Sequence, residues 1–205
     1  HLYMNNGSGH FTEAVNALPA MLKNKSCVTV ADIDKDGDMD IFVGGLADDK
    51  RYGIAQPSYL LLNDGKGVFK TADASVIKLD NTGIVTSASF ADINNDGWSD
   101  LVVAGEWMGV KIFMNKNGKF ANTEIPASTG LWQTVYTTDV NGDGFDDILA
   151  GNWGHNSKLY AGKNGPLKLY VKDFDNNGSV EQVMAYTIDK KEYTFLAKDE
   201  LERSL

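Results

Sequence analysis

Short apolar runs alternate along this chain with polar segments that are rich in Asp, Asn and Gly. Apolar runs of this length, bounded by turn residues, are typical of β-strands. The runs fall into groups of four, and residues 198–205 at the end are predicted to begin a helix. The predicted strands are residues 27–33, 39–45, 59–63 and a fourth from 69; 85–93, 99–107, 110–115 and 119–125; 132–140, 146–153 and 158–161; and 167–174, 180–188 and 192–197.

A second recurring unit joins the third strand of each group to the fourth. Residues 2–11, 60–69 and 112–120 each contain an apolar strand, an Asn/Gly turn and an aromatic residue that opens the next strand. That order of residues predicts a β-hairpin. Residues 46–57 are the largest insertion between a second and a third strand, and their polar composition predicts an exposed loop.

Repeats of four short strands predict an all-β fold, a β-propeller in which each repeat is one blade of four antiparallel strands. Each repeat is expected to form its own sheet. Propellers contain roughly four to eight blades, so about four blades predict a partial ring and a chain that is a fragment. Further blades of the same protein or a second copy are expected to close the ring. The predicted blades of this single partial domain are residues 26–80, 81–128, 129–165 and 166–205, preceded by the end of another blade at 1–25.

A nine-residue polar segment joins the first and second strands of every repeat. These segments are metal loops one (residues 32–40), two (92–100), three (139–147) and four (173–181). Each carries oxygen-bearing side chains at positions 1, 3, 5 and 9 and glycine at position 6, where a positive φ lets the loop curl. Ca²⁺ takes six to eight oxygen ligands, so the loops are predicted to bind up to four Ca²⁺ ions, one in each loop.

Position 7 varies between the loops and is expected to contribute its backbone carbonyl. The predicted ligands are Asp32, Asp34, Asp36, Asp38 and Asp40; Asp92, Asn94, Asp96, Trp98 and Asp100; Asp139, Asn141, Asp143, Phe145 and Asp147; and Asp173, Asp175, Asn177, Ser179 and Glu181. An acidic turn that binds nothing is the simpler reading of one such segment, but four copies in phase disfavour it.

An EF-hand is excluded by the residue at position 12 of each loop. An EF-hand has a bidentate Glu there and a helix on either side. Position 12 is occupied here by Val43, Val103, Ala150 and Met184, and the flanking segments are predicted strands. The acidic residue at position 9 is therefore expected to close the site.

The formal charge of −9 comes from 28 acidic and 19 basic residues, and the metal loops account for much of the excess. The sequence contains no basic stripe that would neutralise phosphates, so nucleic acid is not an expected partner. No run of eighteen apolar residues exists, and no membrane span is predicted. The single cysteine, Cys27, is expected to be a small buried hydrophobe.

The acidic loops and the glycine-rich strand that follows them, such as Phe42-Val43-Gly44-Gly45, resemble the FG-GAP/VCBS repeats of integrin α-subunit propellers and of many bacterial surface proteins. Residues 104–107 and 150–154 most resemble bacterial VCBS-repeat proteins, which are often joined to an ASPIC/UnbV module like that of cartilage acidic protein. These residues do not contain that module. The resemblance implies a calcium-stabilised propeller of seven or a similar number of blades. It also implies an extracellular, cell-surface or periplasmic location and a role in binding.

Two classes of function are open at this point. The first is an exported, non-catalytic module for adhesion or for binding protein, glycan or matrix ligands. The second is part of a propeller-fold polysaccharide lyase or hydrolase whose active site lies outside these residues. The sequence has no Gly-x-Ser-x-Gly, His-Glu-x-x-His or phosphate-loop motif, so no catalytic residue is nominated and the binding module is favoured. Trp107 and Trp153 are candidates for sugar stacking, although packing between blades is the favoured reading, and His155 is expected to be an ordinary loop histidine.

Overall fold

A computed structural model describes residues 1–153 and 166–204 of the chain. Fifteen strands and one short helix occur in these residues, and no helix among them is long and apolar enough to cross a membrane. The predicted strand at 158–161, His155 and the predicted blade boundary at 165 lie outside the described residues. The elements are β1 (Tyr3–Asn5), β2 (Phe11–Glu13), β3 (Lys25–Ala31), β4 (Asp40–Gly45), β5 (Tyr59–Asn63), β6 (Phe69–Thr71), β7 (Ile84–Ala91), β8 (Asp100–Met108), β9 (Lys111–Lys116), β10 (Lys119–Glu124), β11 (Gly130–Thr138), β12 (Asp147–Asn152), β13 (Lys168–Lys172), β14 (Glu181–Ile188), β15 (Lys191–Thr194) and α1 (Lys198–Ser204).

The strands pair antiparallel in the order of the sequence. β3 to β6 form one four-stranded sheet, and β7 to β10 are joined in the same way. β11 pairs with β12, β13 to β15 form a three-stranded sheet, and β1 pairs with β2. The all-β fold and the partial β-propeller predicted from the repeats are confirmed, and the described residues do not close a ring.

The core lies between successive sheets. One cluster brings Phe42 and Leu60 of one sheet against Val85, Leu101 and Phe113 of the next, and Cys27 packs partly buried at its edge. A second cluster joins β8 and β9 to β11 and β12, and a third joins β4 and β5 to residues near the start of the chain. Burial of apolar surface between neighbouring blades is therefore the main force that holds the arc together.

The first strands of successive repeats run side by side, linked by hydroxyl side chains. Ser89 Oγ lies 2.7 Å from Thr137 Oγ1, and Ser87 Oγ accepts a hydrogen bond from Val135 N at 3.0 Å. Thr86 Oγ1 donates to the carbonyl of Trp132 at 2.8 Å. Small polar residues on β7 thus let the first strand of the following repeat approach closely.

The expectation that every repeat forms its own sheet is wrong at the start of β11, which pairs with the end of β8 in the preceding repeat. Gly130 pairs with Met108 and Leu131 with Glu106, which connects β11 to β8. The reason is the length of β8, because β9 covers only its first part and leaves the edge at residues 106–108 open. The rest of β11 pairs with β12, so the two repeats stay distinct over most of their length.

The insertion at residues 46–57 is a small ordered hairpin. Residues 49–51 at its turn are exposed as predicted, but Ala47 and Gln56 are buried and Tyr52 is half-buried, so the prediction of an exposed loop is wrong for those three residues. Asp48 N donates to the carbonyl of Ile54 at 2.8 Å, and Ala47 bridges to Ala55. At the tip, Tyr52 Oη donates to Glu106 Oε2 at 2.6 Å and accepts a hydrogen bond from Trp107 Nε1 at 2.9 Å. These contacts support packing as the role of Trp107, whereas Trp153 is 42% exposed.

Candidate metal centres

The four metal loops share one backbone conformation. Position 6 has a positive φ in every loop, as the sequence predicted, and so does position 4. Two left-handed residues, with position 5 between them, wind each loop tightly enough to turn the side chains of positions 1, 3 and 5 towards one another. The φ angles at position 6 are 97° for Gly37, 84° for Gly97, 89° for Gly144 and 89° for Gly178; those at position 4 are 64° for Lys35, 56° for Asn95, 78° for Gly142 and 60° for Asn176.

The aspartate at position 1 accepts the backbone N–H of the glycine at position 6 in all four loops. The distances to the Oδ2 atom are 3.1 Å for Gly37 and Asp32, 2.7 Å for Gly97 and Asp92, 2.8 Å for Gly144 and Asp139, and 2.9 Å for Gly178 and Asp173. Each carboxylate oxygen has a second lone pair. The same atoms that fold the loop therefore remain able to bind a cation.

Positions 3 and 5 accept hydrogen bonds from backbone amides two residues later. In loop two, Asn94 Oδ1 accepts from Asp96 N at 3.0 Å, and Asp96 Oδ1 accepts from Trp98 N at 2.9 Å. In loop three, Asn141 and Asp143 repeat both contacts, at 2.8 Å and 2.9 Å. These bonds turn the side-chain oxygens inward at the spacing that the nine-residue pattern predicts.

The acid at position 9 closes each loop by accepting the N–H of position 2. In loops one and two this acid is buried, with Asp40 2% and Asp100 0% exposed. Asp40 Oδ2 accepts from Ile33 N at 3.2 Å, and Asp100 Oδ2 accepts from Ile93 N at 3.0 Å. Burial raises the pKa of both carboxyl groups, and these backbone hydrogen bonds oppose the rise.

Two of the loops bring three carboxylates close enough to hold a metal ion. Oxygen atoms of Asp32, Asp34 and Asp40 all lie within 4.8 Å of one another, and those of Asp173, Asp175 and Glu181 do the same. Burial, followed by the charge of Asp36, raises the pKa of Asp34. A divalent cation would remove that repulsion, and an all-oxygen donor set suits a hard ion such as Ca²⁺ or Mg²⁺.

Loops two and three differ because the neutral Asn94 and Asn141 stand where loop one has its second acid. Each asparagine donates from Nδ2 to the carboxylate at position 5, at 3.0 Å in both loops. In loop three, the N–H of Gly144 is the main cause of a lowered pKa at Asp139. The donor set remains all-oxygen, with less negative charge to attract the ion.

The side chains at position 7 of loops one and two make contacts outside the loop in which they lie. Asp38 Oδ2 lies against Gly65 of the neighbouring hairpin turn, and the ring of Trp98 lies under Lys35. Phe145 is 51% exposed. This arrangement is compatible with the prediction that position 7 contributes a carbonyl oxygen and not its side chain.

The hairpin asparagines Asn63 and Asn115 also shape the loops, a role that sequence reasoning missed. The N–H of Asn63 donates to Asp40 Oδ1 at 2.9 Å, and that of Asn115 donates to Asp100 Oδ1 at 2.6 Å. The Nδ2 of each also donates to the carbonyl of position 8, Met39 or Ser99. The signal that could have revealed this role is the recurrence of asparagine at the same place in each hairpin, Asn5 included.

Comparison with protein families gives a match to the FG-GAP-like repeat in three stretches, residues 1–43, 47–103 and 92–150. These stretches contain metal loops one, two and three, and metal loop four follows them. No curated protein matches the chain.

Proposed function

The chain belongs to the FG-GAP-like repeat family, and on that basis we propose that it is an exported calcium-binding β-propeller module. It acts as a non-catalytic scaffold for binding or adhesion, with a protein, a glycan or an extracellular-matrix component as its ligand. Each of the four metal loops holds one Ca²⁺ through the side-chain oxygens of positions 1, 3, 5 and 9 and the carbonyl of position 7.

One observation carries this proposal. Four segments of different sequence share positive φ angles at positions 4 and 6 and the same hydrogen bond from position 6 to position 1. Solvated acidic turns would have no reason to repeat a conformation that gathers carboxylates against their own repulsion. A cation that neutralises the charge is the simplest physical reason for the repetition.

Calcium in these loops stabilises the fold and takes no part in chemistry. Every loop joins the first and second strands of its repeat, so an ion bound there fixes one end of a blade. The positions assigned to the ion come from the chain itself, and none is reserved for a substrate. Neutral donors at Asn94 and Asn141 and high exposure of the loops suit the weak calcium affinity, about 10⁻⁴–10⁻³ M, of extracellular modules.

Calcium stoichiometry tests the proposal directly. The protein would be stripped with chelator and titrated with Ca²⁺ and, separately, with Mg²⁺ in a calorimeter. We expect up to four Ca²⁺ per chain and weaker binding of Mg²⁺, which demands near-octahedral geometry. Absence of calcium binding at millimolar concentration would overturn the proposal. Once calcium binding is established, a screen of glycans and matrix proteins, run with and without chelator, would identify the ligand.

A further inference from the structure

Metal loops one, two and three contact one another through the residue at position 4. Lys35 of loop one places Nζ 4.3 Å from the centre of the Trp98 ring, at position 7 of loop two. Asn95 of loop two donates from Nδ2 to the carbonyl of Gly144, at position 6 of loop three, at 3.0 Å. Position 4 is not among the predicted ligands, and in both loops it reaches the loop of the next repeat.

Both ends of the Asn95–Gly144 contact are held by predicted metal ligands. In loop two, the N–H that follows Asn95 belongs to Asp96 and donates to Asp92 Oδ1 and Asn94 Oδ1, both at 3.0 Å. In loop three, the peptide whose carbonyl accepts from Asn95 donates its own N–H, that of Phe145, to Asp143 Oδ1 at 2.9 Å. Any movement of these ligand side chains therefore moves the donor or the acceptor of the contact.

The Lys35–Trp98 contact is built in the same way. Lys35 N donates to Asp32 Oδ1 at 2.8 Å, and Trp98 N donates to Asp96 Oδ1 at 2.9 Å. The backbone of the lysine is thus held by a predicted metal ligand of loop one, and that of the tryptophan by a predicted metal ligand of loop two. A cation over an aromatic face is attractive, although less so at an exposed site.

A buried connection adds to these two surface contacts. Asn115, 1% exposed, donates from Nδ2 to the carbonyl of Ile33 at 2.8 Å and to that of Ser99 at 3.1 Å. Ile33 is position 2 of loop one, and Ser99 is position 8 of loop two. One amide group therefore fixes the backbone of two successive loops.

We propose that metal loops one, two and three bind calcium as a coupled unit, in which Lys35 and Asn95 are positioning residues that transmit order from one loop to the next. The inference rests on the proposed function, because it requires these loops to bind calcium. An ion in loop three would fix Asp143 and hence the Gly144 carbonyl, so the acceptor for Asn95 would already be ordered. An ion that binds loop two then pays a smaller entropic cost, because part of the contact between the loops is already ordered. Calcium in loop three therefore raises the calcium affinity of loop two, which is positive coupling between the two sites.

Asn95→Gly tests this coupling with a minimal change to the chain. It removes the side chain that reaches loop three, and glycine adopts the positive φ of position 4 without strain. Loop three itself has glycine, Gly142, at this position. Asn176→Gly is the matched control, because it makes the same change in loop four, where the described residues include no contact from Asn176 to another metal loop.

The experiment follows the backbone amide signals of Gly97, Gly144 and Gly178 by NMR during a calcium titration of the full chain. In the wild type, the Gly97 and Gly144 signals are expected to change over the same calcium range. Asn95→Gly should weaken calcium binding in loops two and three by about twofold to tenfold, the worth of one hydrogen bond, and Asn176→Gly should leave both midpoints in place. Equal midpoints in the wild type and Asn95→Gly would overturn the inference.

A second comparison separates this inference from the proposed function. Disabling loop three with Asp139→Ala should weaken calcium binding at Gly97, because coupling is reciprocal. The same substitution made together with Asn95→Gly should have no effect at Gly97 beyond that of Asn95→Gly alone. If the effects of the two substitutions on calcium binding at Gly97 are additive, the coupling is contradicted, but the proposal that the loops bind calcium stands. If none of the three glycine signals responds to calcium, the proposed function itself is refuted.

Discussion

The backbone N–H of Asn115 donates to Asp100 Oδ1 at 2.6 Å, so the acid that closes metal loop two is held from the third strand of its own blade. The other oxygen of Asp100 accepts the N–H of Ile93 at 3.0 Å. Asp40 and Asn63 repeat this pair of contacts in loop one. Position 9 therefore stabilises the blade before any ion is considered.

Asp100→Ala is expected to destabilise the metal-free protein more than Asp147→Ala, the same change at position 9 of loop three. Replacing Asp100 leaves two amides without an acceptor in a buried setting, at a cost of about 1–3 kcal/mol for each. Asp147 is half-buried, and Val140, whose N–H it accepts at 3.0 Å, is 63% exposed, so water can replace the acceptor that this amide loses. Urea unfolding in excess chelator would measure the two losses, and equal losses would contradict this role of position 9.

Gly37→Ala and Gly144→Ala are expected to lower the free energy of unfolding through backbone strain alone. A Cβ at either position meets nothing within 4 Å, yet φ is 97° and 89°. A left-handed conformation costs an L-residue about 1–2 kcal/mol. Gly37→Asn should cost less, because asparagine tolerates this region better than alanine does. Urea unfolding would measure all three variants, and losses that are as large for asparagine as for alanine would point to a cause other than φ.

The periodicity of apolar runs was enough to predict most strands to within about two residues and the propeller class, because each run is bounded by turn residues of distinct chemistry. The loop conformation at position 6 was also predictable, since glycine signals a positive φ. The positive φ at position 4 of loop one was not predictable, because the residue there is Lys35 and lysine gives no indication of a left-handed conformation. The pairing of β8 with β11 and the contact of Tyr52 with Glu106 depend on distant segments meeting, and no local pattern encodes them.

Asp36→Ala is expected to weaken calcium binding in loop one more than Asp38→Ala. Asp36 stands at position 5, where the side chain is the proposed ligand, whereas at position 7 the carbonyl remains after substitution. Calorimetric titration of both variants would compare their affinities. If both substitutions weaken binding equally, the assignment of positions 5 and 7 is wrong.

Tyr52 is expected to make stability sensitive to alkaline pH. Burial, reinforced by the hydrogen bond to Glu106, raises the pKa of Tyr52 to about 12 from its ordinary value of 10.0. The folded protein then holds the phenol proton more tightly than the unfolded chain does. This contribution to stability is present below pH 10 and is lost as the pH rises from about 10 to 12.

Tyr52→Phe removes that contribution and provides the comparison. The variant should lose about 0.5–1.5 kcal/mol at neutral pH, the worth of the hydrogen bond, and its stability should fall less steeply between pH 10 and 12. Chemical unfolding at a series of pH values would measure both curves. Parallel curves would show that the contact of Tyr52 with Glu106 does not act on its ionisation.

Thermal unfolding of the wild-type protein, in millimolar Ca²⁺ and again in excess chelator, tests the central claim most directly. A ligand that binds only the folded state stabilises it by RT ln(1 + [L]/Kd). Millimolar Ca²⁺ is about one to ten times the Kd proposed for these loops, so each occupied site adds about 0.4–1.4 kcal/mol. The metal loops predict a clear rise of the melting temperature in Ca²⁺, smaller in Mg²⁺, and reversed by chelator. A melting curve that is the same with Ca²⁺ and with chelator would contradict calcium as the ion that these loops are built to hold.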